Sequence, residues 1–219
     1  CFSLWDTYRA KQPLMTIIHP QKAGEFVATM VDICDKQGDL PVWHLWGNET
    51  DCMVGDPGIP VVADAIVKGI EGFDPEAAFE AIKKTAAVEE RGKEFRHKHG
   101  YIPCNLFTEA VAFDMEYAIA DAAAANAAKA LGKQADCEEF TRRSHSYRTF
   151  FDKGTGFIRG VDENGKFRSP FNPYFSAHRA DDYCEGNAWQ YTWLVPHDIE
   201  NYALLFGCKE ACIARLDSL

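Results

Sequence analysis

The sequence of 219 residues predicts an all-α fold class, and three observations carry the prediction. Apolar residues recur at three-to-four spacing over long stretches, capping residues mark helix starts and stops, and strand patterns are few. Helical segments follow one another in regular succession, which suggests hairpins of helices in an α/α toroid or a solenoid. Periodicity does not choose between those two. Seven to nine helices are expected, with one short β-hairpin inserted among them.

Between Gln21 and Lys36, the residues Phe26, Val27, Met30, Val31 and Cys34 form one apolar stripe, and Gly38 is placed to stop the helix. In "FDPEAAFEAIKK", Asp74 is a cap, Pro75 suits the first turn and Glu76 favours the helix dipole. A long helix is expected from about Thr108 to Leu131, ending at Gly132, with an alanine face that lets neighbours approach closely. Asp136 followed by Glu139 resembles a capping box that opens a helix reaching about Phe151. Asp198 is expected to start another helix, and "CKEACIARLDSL" a last one. "TGFIRGVDENGKFRS" reads as a hairpin turning at "DENG", with Phe157 and Phe167 on its flanks. No repeat, low-complexity tract or domain-splitting linker is visible.

Charge narrows the partners. The formal net charge is -10 and no run of Lys or Arg exceeds two residues, so neither duplex nucleic acid nor an anionic membrane is expected. No apolar stretch approaches the ~20 residues of a membrane span. The chain starts without Met and shows no signal peptide, which reads as a segment of a longer polypeptide and leaves targeting open. Its eight cysteines form no CxxC pair, so structural thiols are expected rather than a zinc site. Reduced thiols fit a reducing cytoplasm or an organism living without oxygen.

Four segments are too particular for simple packing: "FSLWDTYRA", "LPVWHLWGNETDCMVGDPG", "DKGTGFIRG" with "PFNPY", and "YCEGNAWQYTWLVPHD". In the last, Glu185 is flanked in sequence by Tyr183, Trp189, Tyr191 and Trp193. Two roles compete for it. As a helix cap its carboxylate would be favoured by the dipole; as a catalytic acid it would need burial among the rings to retain a proton. Glycoside hydrolysis requires a second carboxyl, for which Asp6, Glu49, Asp51, Asp64 and Asp198 are available. Asp6 and Asp198 could equally be helix caps, and Asp64 a salt-bridge partner. His197, between Pro196 and Asp198, could donate to a sugar hydroxyl or merely form a helix-entry turn. His97 and His99 are too ill-spaced on a helix to suggest a metal. No phosphate-cradling "GK[ST]" loop and no organised Ser or Cys nucleophile is present.

At these segments the chain strongly resembles glycoside hydrolase family 92, the calcium-dependent exo-acting α-mannosidases. The residues that carry the likeness are "FSLWDTYRA", "LPVWHLWGNET", "VVADAIVKGI", "TGFIRG", "PFNP" and "EGNAWQYTWLVPHD", in order over nearly the whole chain. The resemblance implies part of an (α/α)6 toroid, with a β-sandwich domain and the rest of the toroid lying outside this chain. It implies hydrolysis of terminal α-mannosyl residues, often α-1,2-linked as in high-mannose N-glycans or mannan, with inversion. Glu185 matches the family's general acid. Trp5 and Asp6 match residues of the terminal sugar pocket, with Arg9 in the same segment, and Trp189, Gln190, His197 and Asp198 follow the acid.

The family's general base and its calcium-binding segment have no counterpart here, so calcium ligands are expected mostly outside this chain, which alone would be inactive. The implied partners are a mannose-containing oligosaccharide and the remainder of the same polypeptide. Export to the periplasm or medium of an anaerobic bacterium would reconcile the family habit with free thiols; a cytoplasmic location is the other option. The competing functional reading is a helical glycan-binding module without catalysis. A third, a polysaccharide lyase on the same fold, would call instead for a Tyr or His base beside a cationic neutraliser.

Overall fold

A computed structural model describes residues 2–219; Cys1 lies outside the described residues. In chain order the elements are α1 (Leu4–Thr7), α2 (Lys11–Ile18), α3 (Pro20–Gln37), β1 (His44–Leu45), β2 (Asn48–Glu49), α4 (Gly58–Val67), α5 (Pro75–Ala86) and α6 (Lys93–His99). There follow α7 (Ala110–Ala130), α8 (Gln134–Ser144), α9 (Tyr147–Phe150), β3 (Phe151–Asp152), β4 (Phe157–Ile158), α10 (Ala188–Tyr191), α11 (Ile199–Leu205) and α12 (Lys209–Leu216). The fold is mainly helical, as its periodicity predicts.

Capping accounts for some boundaries. Helix α3 ends at Gly38, whose φ of 115° is open to glycine and strained for other residues. Asp74 caps α5 by accepting the Glu76 N–H at 2.9 Å. Helix α8 departs from expectation: it begins at Gln134, so Asp136 lies inside its first turn rather than capping it, and it stops at Ser144, with the short α9 beyond. Helix α4 escaped the periodic reading because it is apolar nearly all round; seven of its residues, from Gly58 to Ile66, are buried. The hairpin also differs. The "DENG" turn forms, with Asp162 N–H donating to the Lys166 carbonyl and an isolated bridge pairing Val161 with Phe167. The ladder lies one turn earlier, pairing Phe151 with Ile158 and Asp152 with Phe157.

The chain forms two compact units. One comprises the residues up to Glu90 with Glu116–Ser144; the other comprises Arg91–Met115 with His145–Leu219. In the first, α3 packs against α2, α4 and α5, burying Val27, Met30, Cys34, Phe79 and Ile82. Gly24 permits a close approach there, since a Cβ would fall 1.9 Å from the Glu71 carbonyl oxygen.

In the second unit, the fully buried Asp114 ties three segments together. Its carboxylate accepts from Arg96 Nε at 3.1 Å, from Ser146 Oγ at 2.6 Å and from the Ile102 N–H at 2.7 Å. Asp114→Ala would leave the Arg96 guanidinium buried without this counter-charge. Chemical denaturation of the intact protein should then show a loss of about 3–5 kcal/mol; an unchanged midpoint would mean that Arg96 is neutralised elsewhere.

Candidate active site

The loop before Glu185 is held at every step. The Asp181 carbonyl accepts the Glu109 N–H at 2.8 Å and the Asp182 carbonyl accepts the Ala112 N–H at 3.1 Å, so the loop docks on the first turn of α7. The Asp181 carboxylate takes the N–H groups of Ala177 and Tyr183 at 2.6 and 2.8 Å. The Asp182 carboxylate is gripped by Arg168 Nε and Nη2 at 2.8 and 2.9 Å. Tyr191 clamps Cys184 from both sides, its hydroxyl accepting the Cys184 N–H at 3.3 Å and donating to the Cys184 carbonyl at 2.9 Å.

Glu185 follows with a φ of 50° and an exposed side chain, and its carboxylate makes no hydrogen bond to any described residue. This corrects the cap role and the burial among rings expected of Glu185. Asn187, not Glu185, caps α10: it accepts the Trp189 N–H at 3.0 Å, while Gln190 accepts the Asn187 N–H at 3.1 Å. The four neighbouring rings do not enclose the acid either. Tyr183 and Tyr191 face each other at 5.4 Å, Trp189 packs on Phe157 at 4.9 Å, and Trp193 stacks on Phe206 at 5.7 Å. Each ring packs on another ring of the unit.

Behind the acid lies a strained cluster. Of the six non-glycine residues with positive φ in the described chain, three are Glu109, Arg179 and Glu185; each such residue costs about 1–3 kcal/mol and tends to mark a functional site. All three act electrostatically on Cys184. Burial first, and then the carboxylates of Glu109 and Glu185, push the Cys184 thiol up to about 12, so it stays protonated and unreactive. Burial likewise raises the Glu109 carboxyl, against the lowering influence of Cys184 and Arg179. The seven described cysteines are all free thiols.

Beyond the acid, Gln190 closes the capping box and Trp189 is half-buried. His197 stands edge-on to Tyr147 at 5.7 Å. Asp198 sits at the N-cap position of α11 without capping it through its side chain. Its carboxylate accepts instead from the Tyr147 hydroxyl at 2.7 Å and Asn201 Nδ2 at 2.8 Å. Burial pushes the Asp198 carboxyl up, but these two bonds and the nearby His145 and Arg148 outweigh it and hold the carboxyl below its usual range. Tyr147, buried and donating to that anion, is pushed up to about 12.

The other predicted residues belong to the first unit. Asp6 is exposed and accepts the Trp43 indole N–H at 2.8 Å. Arg9 pairs with the buried Glu116, which also accepts from Tyr8 at 2.6 Å, and its guanidinium lies 5.5 Å from the Trp5 ring. Trp5 Nε1 is buried with no partner. Glu49, a candidate base, is committed elsewhere: it accepts the backbone N–H groups of Val42, Trp43, Thr50 and Asp51 at 2.7 to 3.0 Å. Asp64 pairs with Lys68 at 2.7 Å on α4, the structural role open to it from sequence. Sequence reasoning missed the tethers Asn187, Tyr147, Trp43 and Arg168, whose partners are distant in the chain or were assigned other work. Among the described residues no cluster of three His, Cys, Asp or Glu could hold a metal ion.

The profile of the glycosyl hydrolase family 92 catalytic domain matches residues 1–219. The chain belongs to glycoside hydrolase family 92. It is similar to the family 92 α-mannosidase BT3965 of Bacteroides thetaiotaomicron, whose structure was solved in complex with mannoimidazole: 40% identity, TM-score 0.94, covering 99% of this chain and 30% of that one. The inverting mannosidase BT2199 of B. thetaiotaomicron VPI-5482 is 33% identical, with TM-score 0.91 and coverage of 99% and 30%. An uncharacterized secreted glycosidase of Arthroderma benhamiae is 28% identical over 227 residues, 87% of this chain and 29% of that protein. The chain thus spans about 30% of the length of these relatives.

In this family 92 chain the Glu49 loop is testable by pH. Burial acts upward on the Glu49 carboxyl, but the four N–H donors prevail and lower it from an ordinary value of 4.5. The stability it confers is complete above that value and is lost as pH falls through the depressed one. Acid titration of the intact protein should show a change in tryptophan emission below pH 4.5 that Glu49→Gln already displays at neutral pH. If the substituted protein titrates like the unaltered one, the carboxylate does not hold the loop.

Proposed function

We propose that this chain is part of an exo-acting α-mannosidase that cleaves terminal mannose from α-mannosides with inversion, Glu185 being the general acid. The observation that carries the reading is the presentation of Glu185: it is held at a φ of 50° directly after Cys184, which Tyr191 clamps, while its carboxyl is exposed and unengaged. A carboxyl in a structural role would be bonded, as Asp114, Asp182 and Glu49 are. One free at the tip of an immobilised loop is available to a ligand. The mannosidase names of the similar solved structures favour mannose as the sugar released, and the α-1,2 linkage remains the preferred target.

In the proposed reaction Glu185 donates its proton to the oxygen leaving the anomeric carbon. A base on the opposite face removes a proton from the attacking water, the two carboxyls standing about 6.5–9.5 Å apart. A sugar seated over the exposed Glu185 would exclude water from it. Four of the five candidate partners, Asp6, Glu49, Asp64 and Asp198, already have structural partners, which supports placing the base in the remainder of the polypeptide. The calcium ion implied by the family resemblance would likewise take its ligands beyond this chain, where it would orient vicinal sugar hydroxyls. The helical hairpins are read as part of an (α/α)6 toroid that the same remainder completes. The secreted fungal relative favours an exported protein.

Glu185→Gln in the intact protein should lower turnover of α-1,2-mannobiose by about 10²–10⁴-fold. A dinitrophenyl α-mannoside, whose leaving group departs as a stable anion, should be affected far less. Equal losses on the two substrates would remove Glu185 from the acid role.

A further inference from the structure

Helix α12 buries none of its residues, so packing alone gives its cations no reason to turn inward. Yet the Arg215 guanidinium lies 4.2 Å from the ring centre of Phe157 and 4.2 Å from that of Trp189. The residue is half-buried there, and its side chain forms no hydrogen bond or ion pair with any described residue. Phe157 and Trp189 meet edge to face at 4.9 Å, so a single cation covers both. A guanidinium suits that place, because it is planar, weakly hydrated and drawn to ring faces.

The two rings belong to the elements that flank the acid. Trp189 stands in α10, four residues after Glu185. The same helix carries Tyr191, whose hydroxyl clamps Cys184, and it starts at Asn187, whose side chain accepts the Trp189 N–H. Where α10 sits therefore decides where both neighbours of Glu185 sit. A helix of four residues has no stability of its own, so outside contacts must fix it. Strand β4 supplies some: the Ile158 N–H donates to Thr192 Oγ1 at 3.1 Å, and the Ile158 carbonyl accepts from the Tyr183 hydroxyl at 2.8 Å. Arg215 adds a contact that reaches β4 and α10 together, at Phe157 and Trp189. Fastening α12 would need a ring on only one of them.

We propose that Arg215 is a positioning residue for the acid: by covering Phe157 and Trp189 at once it locks α10 against β4 and keeps Glu185 aimed at the leaving-group oxygen. The inference rests on Glu185 being the acid. A displaced acid is felt by a leaving group that needs a proton, and hardly at all by one that departs as a stable anion.

The test compares Arg215→Met, which keeps an apolar stem and removes the charge, with Arg215→Lys, which restores a charge. Both are made in the intact protein beside Glu185→Gln, and assayed on α-1,2-mannobiose and a dinitrophenyl α-mannoside. Arg215→Met should lower kcat for mannobiose about three- to thirtyfold, leave its KM nearly unchanged and affect the dinitrophenyl substrate far less. Arg215→Lys should recover most of the loss.

Equal losses on both substrates, no loss on either, or a fall in Tm with the ratio of the two rates unchanged would overturn the proposal; the last would mean that Arg215 only fastens α12. If Glu185→Gln shows no contrast between the substrates, or the unaltered protein cleaves neither, the acid reading fails on its own. Hydrogen exchange over residues 183–193 then reads the lock directly: faster exchange in Arg215→Met, slowed again in Arg215→Lys, supports it, and unchanged exchange refutes it.

Discussion

The second unit depends on helix α7 serving as an anchor for loops that have no regular structure of their own. Asp114, one turn into that helix, draws in Arg96, Ser146 and the Ile102 N–H. The same first turn offers the unsatisfied N–H groups that every helix start leaves over, and the carbonyls of Asp181 and Asp182 take two of them. A buried carboxylate and a helix end therefore orient both the packed layer and the loop that carries Glu185. Neither bond is long-range in the electrostatic sense; each replaces water that the fold has excluded.

Carboxylates in this chain divide by whether the backbone has claimed them. Asp181 and Glu49 accept backbone N–H groups, Asp114 combines one backbone N–H with Arg96 and Ser146, and such anions work as loop frames. Asp182 and Asp198 are held by side chains, Arg168 in one case and Tyr147 with Asn201 in the other. Glu185 differs from these five, with its carboxyl open and the residue before it clamped by Tyr191. That division lends the catalytic assignment its physical basis. It also narrows where a base can be found, because a carboxylate whose lone pairs are filled cannot accept a proton from water without undoing a loop.

Much of the fold is legible from local chemistry. The stripe of α3 with Gly38 after it, and Asp74 with Pro75 at the start of α5, are decided by groups within four residues of one another. Helix α4 is not legible this way, because a helix buried on all sides has no polar face to reveal its period. The register of the β3–β4 hairpin is likewise obscure, since two tight turns lie close in sequence and only packing selects the one that carries a ladder.

The site shows the same boundary. The motif around Glu185 singles it out as the proposed acid from residue identity alone, because a proton donor is defined by its functional group and the residues flanking it. What surrounds that acid could not be read from the same string. Four rings within eight residues of Glu185 suggest enclosure, yet Tyr183 and Tyr191 face each other, Trp189 turns to Phe157 and Trp193 to Phe206, and Asn187 takes the cap that Glu185 could have filled. Sequence determines which groups are present and which short-range bonds they can form. Burial, and with it the cost of charge and the direction of each side chain, depends on contacts between distant segments, and those exist only once the chain has folded.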